Sequence, residues 1–141
     1  MRLKDKVAVI TGAARGIGSA IAKRFTAEGA SVVINYATRK TEAERTLAAI
    51  EAKGGRAFIF QADITKASEV EKLFATTKKR FSRLDISVNN AGLDDFMPSE
   101  RITPMRRVGE PEDIAAAAVL FCSDDARWIT RQCVPVSGGL I

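Results

Sequence analysis

Thr11-Gly12-Ala13-Ala14-Arg15-Gly16-Ile17-Gly18 follows a short apolar run and opens a helical pattern. Glycines at this spacing permit a tight turn and let backbone N–H groups approach a pyrophosphate, which the positive end of a helix also favours. A bare glycine turn can equally be structural; the strand before it and the helix after it are the context that the phosphate reading requires. A second cluster, Asn89-Asn90-Ala91-Gly92, closes a later apolar run. Small and amide residues there would line the crevice beyond the strand ends, where open α/β sheets bind ligands. Asn- and Gly-rich exits from strands are also common turns. Asp63, with Ile64 beside it, follows a third run, and its carboxylate or backbone can contact an adenine ring. A helix-capping role is the plainer alternative for that aspartate.

Positioning these groups requires alternating strands and helices. Val7-Ala8-Val9-Ile10 and Ser31-Val32-Val33-Ile34-Asn35 have the profile of strands buried on both faces, and Ala57-Phe58-Ile59-Phe60 forms the centre of a third strand. A fourth strand is expected over 84–89. Between them Ile17, Ala20, Ile21 and Phe25 recur at helical spacing up to Gly29, an amphipathic helix is expected over 41–53, and Thr65 can cap a helix carrying Val70, Leu73, Phe74 and Phe81. Successive βα units mean a parallel, doubly wound sheet in a three-layer α/β/α sandwich, a Rossmann-like single domain over 1–141. After Gly92 the rhythm breaks; Pro111 then opens a helix over 111–122, and a last strand is expected over 132–136, at an edge because of Pro135.

Composition narrows the chemistry. The 141 residues are one domain's worth, 46% hydrophobic and 28% charged, and the longest apolar run, 114–122, falls far short of a membrane span. The net charge of +5 is scattered, so nucleic acid is not an expected partner. Histidine is absent, which removes every His-based triad, imidazole base and His-containing zinc site, and no metal site is expected. Cys122 and Cys133 lack CxxC spacing and sit in apolar contexts; they are expected as buried thiols in a reducing cytoplasm.

Taken together, these motifs resemble the short-chain dehydrogenase/reductase family, in its 3-oxoacyl-carrier-protein-reductase-like branch. The likeness covers residues 4 to 102 and resumes from 104 to 140, with Arg107-Val108-Gly109-Glu110-Pro111-Glu112-Asp113-Ile114 and Pro135-Val136-Ser137-Gly138-Gly139 as its C-terminal blocks. Arg131 stands where that family usually has glycine, and Ser137 where it has aspartate. The resemblance implies a dinucleotide cofactor held by Gly12, Ala13, Ala14, Arg15, Gly16, Ile17, Gly18, Tyr36, Thr38, Arg39, Asp63, Ile64, Asn90, Ala91 and Gly92. It also implies a small carbonyl or alcohol substrate and a homo-oligomer.

The same resemblance calls for a catalytic Ser and a Tyr-x-x-x-Lys pair, in which tyrosine exchanges the substrate proton. Tyr36 is the only tyrosine, and although Lys40 lies four residues on, that pair falls in a βα loop at the adenosine end. A full set of βα units needs on the order of 200 residues, so a central block is expected to be missing between about Glu100 and Pro104. Cofactor choice is legible at the end of the second strand, where NAD enzymes carry an acidic residue. Here Tyr36 is followed by Thr38-Arg39-Lys40, with Arg15 in the glycine turn, an environment of cations and hydroxyls suited to a 2′-phosphate. NADP(H) is therefore expected over NAD(H), a solvated basic loop being the alternative. Two functions stay open: an oxidoreductase of that family, and a catalytically silent nucleotide-binding or assembly module.

Overall fold

A computed structural model describes residues 1–92 and 103–139. Four strands, β1 (Val7–Ile10), β2 (Ser31–Tyr36), β3 (Arg56–Gln61) and β4 (Ile86–Val88), form one parallel sheet in the order β3-β2-β1-β4. Helices α1 (Gly16–Ala27), α2 (Lys40–Glu51) and α3 (Ala67–Phe81) are the crossovers. The alternation of strand side chains divides the core. Ala8, Ile10, Val32 and Ile34 face α1 and α2 together with Phe25, Ala43 and Ile50, whereas Val9, Val33 and Phe58 face Leu73 of α3. Helices on both faces make the three-layer, Rossmann-like arrangement. α4 (Pro111–Cys122) packs on α1 through Ala115 and Val119.

Local chemistry sets the boundaries. α1 ends where Gly29, at φ +92°, donates its N–H to the Thr26 carbonyl. α4 opens with Pro111 behind a capping box: Asp113 accepts the Glu110 N–H at 2.8 Å and holds Arg107 at 2.5 and 2.7 Å. Below the sheet, Asp85 accepts the Val7 N–H at 2.8 Å and two hydrogen bonds from Arg83, tying the lower ends of β1 and β4 together.

Four expectations change. Thr65 does not cap α3; its N–H and hydroxyl both donate to Asp63 Oδ1, and the helix begins after Lys66. β4 is limited to three residues, and among the described residues it pairs with β1 alone. No strand forms over 132–136: every residue there is exposed, and among the described residues no neighbouring strand supplies its hydrogen bonds. Cys133, which belongs to that unpaired run, is therefore exposed, while Cys122 is half-buried on α4 and burial pushes its thiol pKa up. Part of the expected discontinuity near 100–104 lies outside the described residues.

Candidate functional site

The carboxyl ends of β1 and β4 converge where the sheet order reverses, since β1 connects outward to β2 on one side and pairs with β4 on the other. Open α/β sheets bind ligands at such a point. Thr11, directly after β1, is the hub. Its hydroxyl accepts the N–H groups of Asn90 and Ala91, each at 3.0 Å, and donates to the Val88 carbonyl. Asn90 returns the contact, its Nδ2 donating to the carbonyls of Thr11 at 2.9 Å and Gly12 at 3.3 Å. The glycine turn and the Asn89–Gly92 exit are thus clasped into one surface.

The glycines in that surface have different reasons. A Cβ on Gly12 would lie 2.9 Å from Ala91 Cα, and one on Gly18 would lie 2.6 Å from Asn90 Nδ2, so both positions serve close packing. Gly16 is left-handed at φ +56°, and a Cβ there would meet nothing within 4 Å. That open side lies at the N-terminus of α1, whose N-cap Arg15 makes no side-chain cap and whose first turn holds no acidic residue. Residues 15–17 are exposed there, and an uncompensated positive helix end with free space in front of it suits an anion. The turn therefore fits the pyrophosphate of a dinucleotide.

The adenosine-side residues are distributed around it. Ile64 is exposed. Asp63 Oδ1 accepts from Thr65 at 2.7 and 3.0 Å, and these bonds hold its carboxyl below the usual range. Its N–H donates to Glu69 at 2.7 Å. A cleft of about 520 Å³ brings Thr38 and Asp63 together with Ala37, Phe60, Gln61 and Lys66. A hollow of about 250 Å³ between the far ends of α1 and α2 lies away from these residues. Arg15 is exposed and makes no ion pair among the described residues, whereas Arg39 is engaged by Glu42 at 3.2 Å. Tyr36 is buried in the larger core cluster, and Lys40 pairs with Glu44.

Two residues outside the expected set shape this region. Asn35 bonds to the glycine turn and to the loop after β3. Thr46 of α2 donates to the Ala14 carbonyl at 2.9 Å and meets Ser19 at 2.8 Å. The available signal for Asn35 was an amide ending a run of otherwise apolar, buried strand residues, because buried amides require partners.

A sequence profile described as short chain dehydrogenase matches residues 6–126. An uncharacterized oxidoreductase of Methylorubrum extorquens is 45% identical over 102 residues, which is 72% of this chain and 41% of that protein. A 3-oxoacyl-[acyl-carrier-protein] reductase of Synechocystis sp. is 48% identical over 91 residues, 64% of this chain and 37% of that protein. The chain thus spans about 40% of the length of the curated relatives it matches. Among solved structures, a hydroxysteroid dehydrogenase from Escherichia coli superposes with a TM-score of 0.89 at 26% identity, covering 99% of this chain and 98% of that one. With the profile running through the whole sheet and the glycine turn at its reversal point, this chain belongs to the short chain dehydrogenase family.

Proposed function

We propose that the chain binds a nicotinamide dinucleotide along the carboxyl edge of its sheet, prefers NADP(H) to NAD(H), and belongs to an oxidoreductase interconverting a small carbonyl and an alcohol. The observation that carries this reading is the open, left-handed Gly16 at the uncapped start of α1. Gly12, Ala13, Ala14, Arg15, Gly16, Ile17 and Gly18 would hold the pyrophosphate, Asp63 and Ile64 the adenine side, and Asn90, Ala91 and Gly92 the floor beyond β4. When bound, the cofactor supplies or accepts a hydride.

The preference for a 2′-phosphate rests on the exit of β2, where Tyr36, Ala37 and Thr38 carry no carboxylate and Arg39 follows directly, and on Arg15 in the glycine turn. Arg15 is the freer cation; Arg39 must give up Glu42 to engage a phosphate. Calorimetric titration should show NADPH binding more tightly than NADH. Arg15→Ala should shrink the difference by about 1.5–3 kcal/mol, the worth of a charge-assisted contact, and Arg39→Ala by less. Equal affinities in the unaltered chain would refute the preference.

A second reading, a nucleotide-binding or assembly module without turnover of its own, draws on the burial of Tyr36, the only tyrosine. NADPH consumption with a small diketone no faster than without protein supports it; sustained turnover restores the oxidoreductase. A reducing cytoplasm belongs to either reading, and so does a homo-oligomer, the latter supported by the exposure of Leu120 and Phe121 on α4 and of Trp128 and Ile129 beyond it. A monomer by light scattering removes that part. No helix among the described residues is long and apolar enough to cross a membrane.

A further inference from the structure

Asn35 sits near the end of β2, 2% exposed, with both ends of its amide in use. Its Oδ1 accepts the Gly12 N–H at 3.4 Å, and its own carbonyl accepts the Ala13 N–H at 2.9 Å. On the other side Nδ2 donates to the Ala62 carbonyl at 3.0 Å and to the Phe60 carbonyl at 3.4 Å. Gly12 and Ala13 belong to the turn after β1; Ala62 precedes Asp63 and Ile64 after β3. Among the described residues no hydrogen bond runs directly between these two segments. One buried side chain therefore links them, and an amide suits the task because it offers an acceptor and two donors in one plane without charge. A buried amide left half-satisfied is costly, so a shift of either segment that lengthens one bond favours a compensating shift at the other.

We propose that Asn35 is a positioning residue that makes the pyrophosphate turn and the adenine-side loop respond as one unit. The proposal rests on the dinucleotide reading above. Binding at one segment pre-pays the ordering of the other, and by linkage the effect is reciprocal.

The test splits the ligand into two probes, adenosine and inorganic pyrophosphate, titrated calorimetrically into the full chain. Saturating adenosine should tighten pyrophosphate binding by about fivefold or more, the low end of ordinary coupling, and pyrophosphate should tighten adenosine binding by the same factor. In Asn35→Leu, similar in size and without hydrogen-bonding groups, each probe should still bind while the factor falls to one. A merely structural role would weaken both probes and leave the factor unchanged. If the leucine variant does not fold, amide exchange on the unaltered chain decides: adenosine should slow exchange at Gly12 as well as at 62–64. Protection confined to 62–64, or independent binding of the two probes, overturns the proposal and leaves the dinucleotide reading standing. Failure of either probe to bind, together with failure of intact NADPH, removes both.

Discussion

Residues 1–92 and residues 103–139 are built by different rules. In the first region every strand is paired, and the connections between β1 and β4 are closed at both ends, by Asp85 below and by Thr11 with Asn90 above. The second region contributes one helix that reaches the core through Ala115 and Val119, followed by a run, 127–136, that is exposed at every position. Val134 and Val136 in that run carry a strand-like side-chain pattern, yet no strand forms. A pattern of side chains proposes a strand; only a neighbour's N–H and C=O groups make one.

The largest test of this contrast is stability. Phe25, fully buried between α1 and the sheet, should cost about 3–5 kcal/mol when replaced by alanine, whereas Trp128→Ala, at a 94% exposed position, should stay within about 0.5 kcal/mol. Urea unfolding of the two variants measures both. Comparable losses would mean that the exposed run is packed in solution and would break the comparison.

A smaller effect separates two adjacent residues of one motif. Asn90→Ala removes the donor to the Thr11 and Gly12 carbonyls and should cost about 1–3 kcal/mol while loosening the glycine turn. Asn89 is exposed, and Asn89→Ala should be close to neutral. Unfolding and dinucleotide titration of the pair sharpen the distinction between clasp and rim.

The smallest effect is confined to the second region. The Arg107 side chain and the Glu110 N–H hold the Asp113 carboxyl from an ordinary 3.8 down to about 2. A carboxyl whose pKa is lowered by folding stabilises the folded form above its unfolded pKa and loses that contribution as pH falls through the folded value. Protection of the amides at the start of α4, taken relative to their intrinsic exchange rates at each pH, should therefore fall as pH drops from about 4 towards 2, while protection of the β1–β2 amides holds. Arg107→Ala should move this loosening to higher pH; an unchanged profile would deny the ion pair its capping role.

How much was legible follows from how local each cause is. β1 and β2 could be read because both of their faces are buried and their apolar runs are unbroken. The start of α4 could be read from Pro111, whose missing N–H costs nothing at a first helical turn. The glycine turn, Asp63 and Asn90 stand out in the sequence as motifs, but their partners do not. Nothing in Thr11 alone says that its hydroxyl will receive two N–H groups from residues about 80 positions away. Arg39 read as a cation free for a phosphate because the carboxylate of Glu42 becomes its neighbour only once the start of α2 is in place. Cys133 read as buried because its apolar surroundings were visible and its lack of a partner strand was not.

The clasp between Thr11 and Asn90 also sets an order of events. β1 and β2 meet across 24 residues, from Val7 to Ser31, whereas β1 and β4 meet across 78, from Ala8 to Ile86. Closing the longer loop costs only about 1 kcal/mol more in chain entropy, so the delay is set less by thermodynamics than by synthesis. The glycine turn leaves the ribosome early and has β2 beside it early, but its carbonyls at Thr11 and Gly12 lack the Asn90 donor until some eighty further residues have been made. The proposed phosphate turn, whose first glycine stands at position 12, is thus completed only once Asn90 has been made. A nascent chain stalled before Asn90 carries the motif without its clasp.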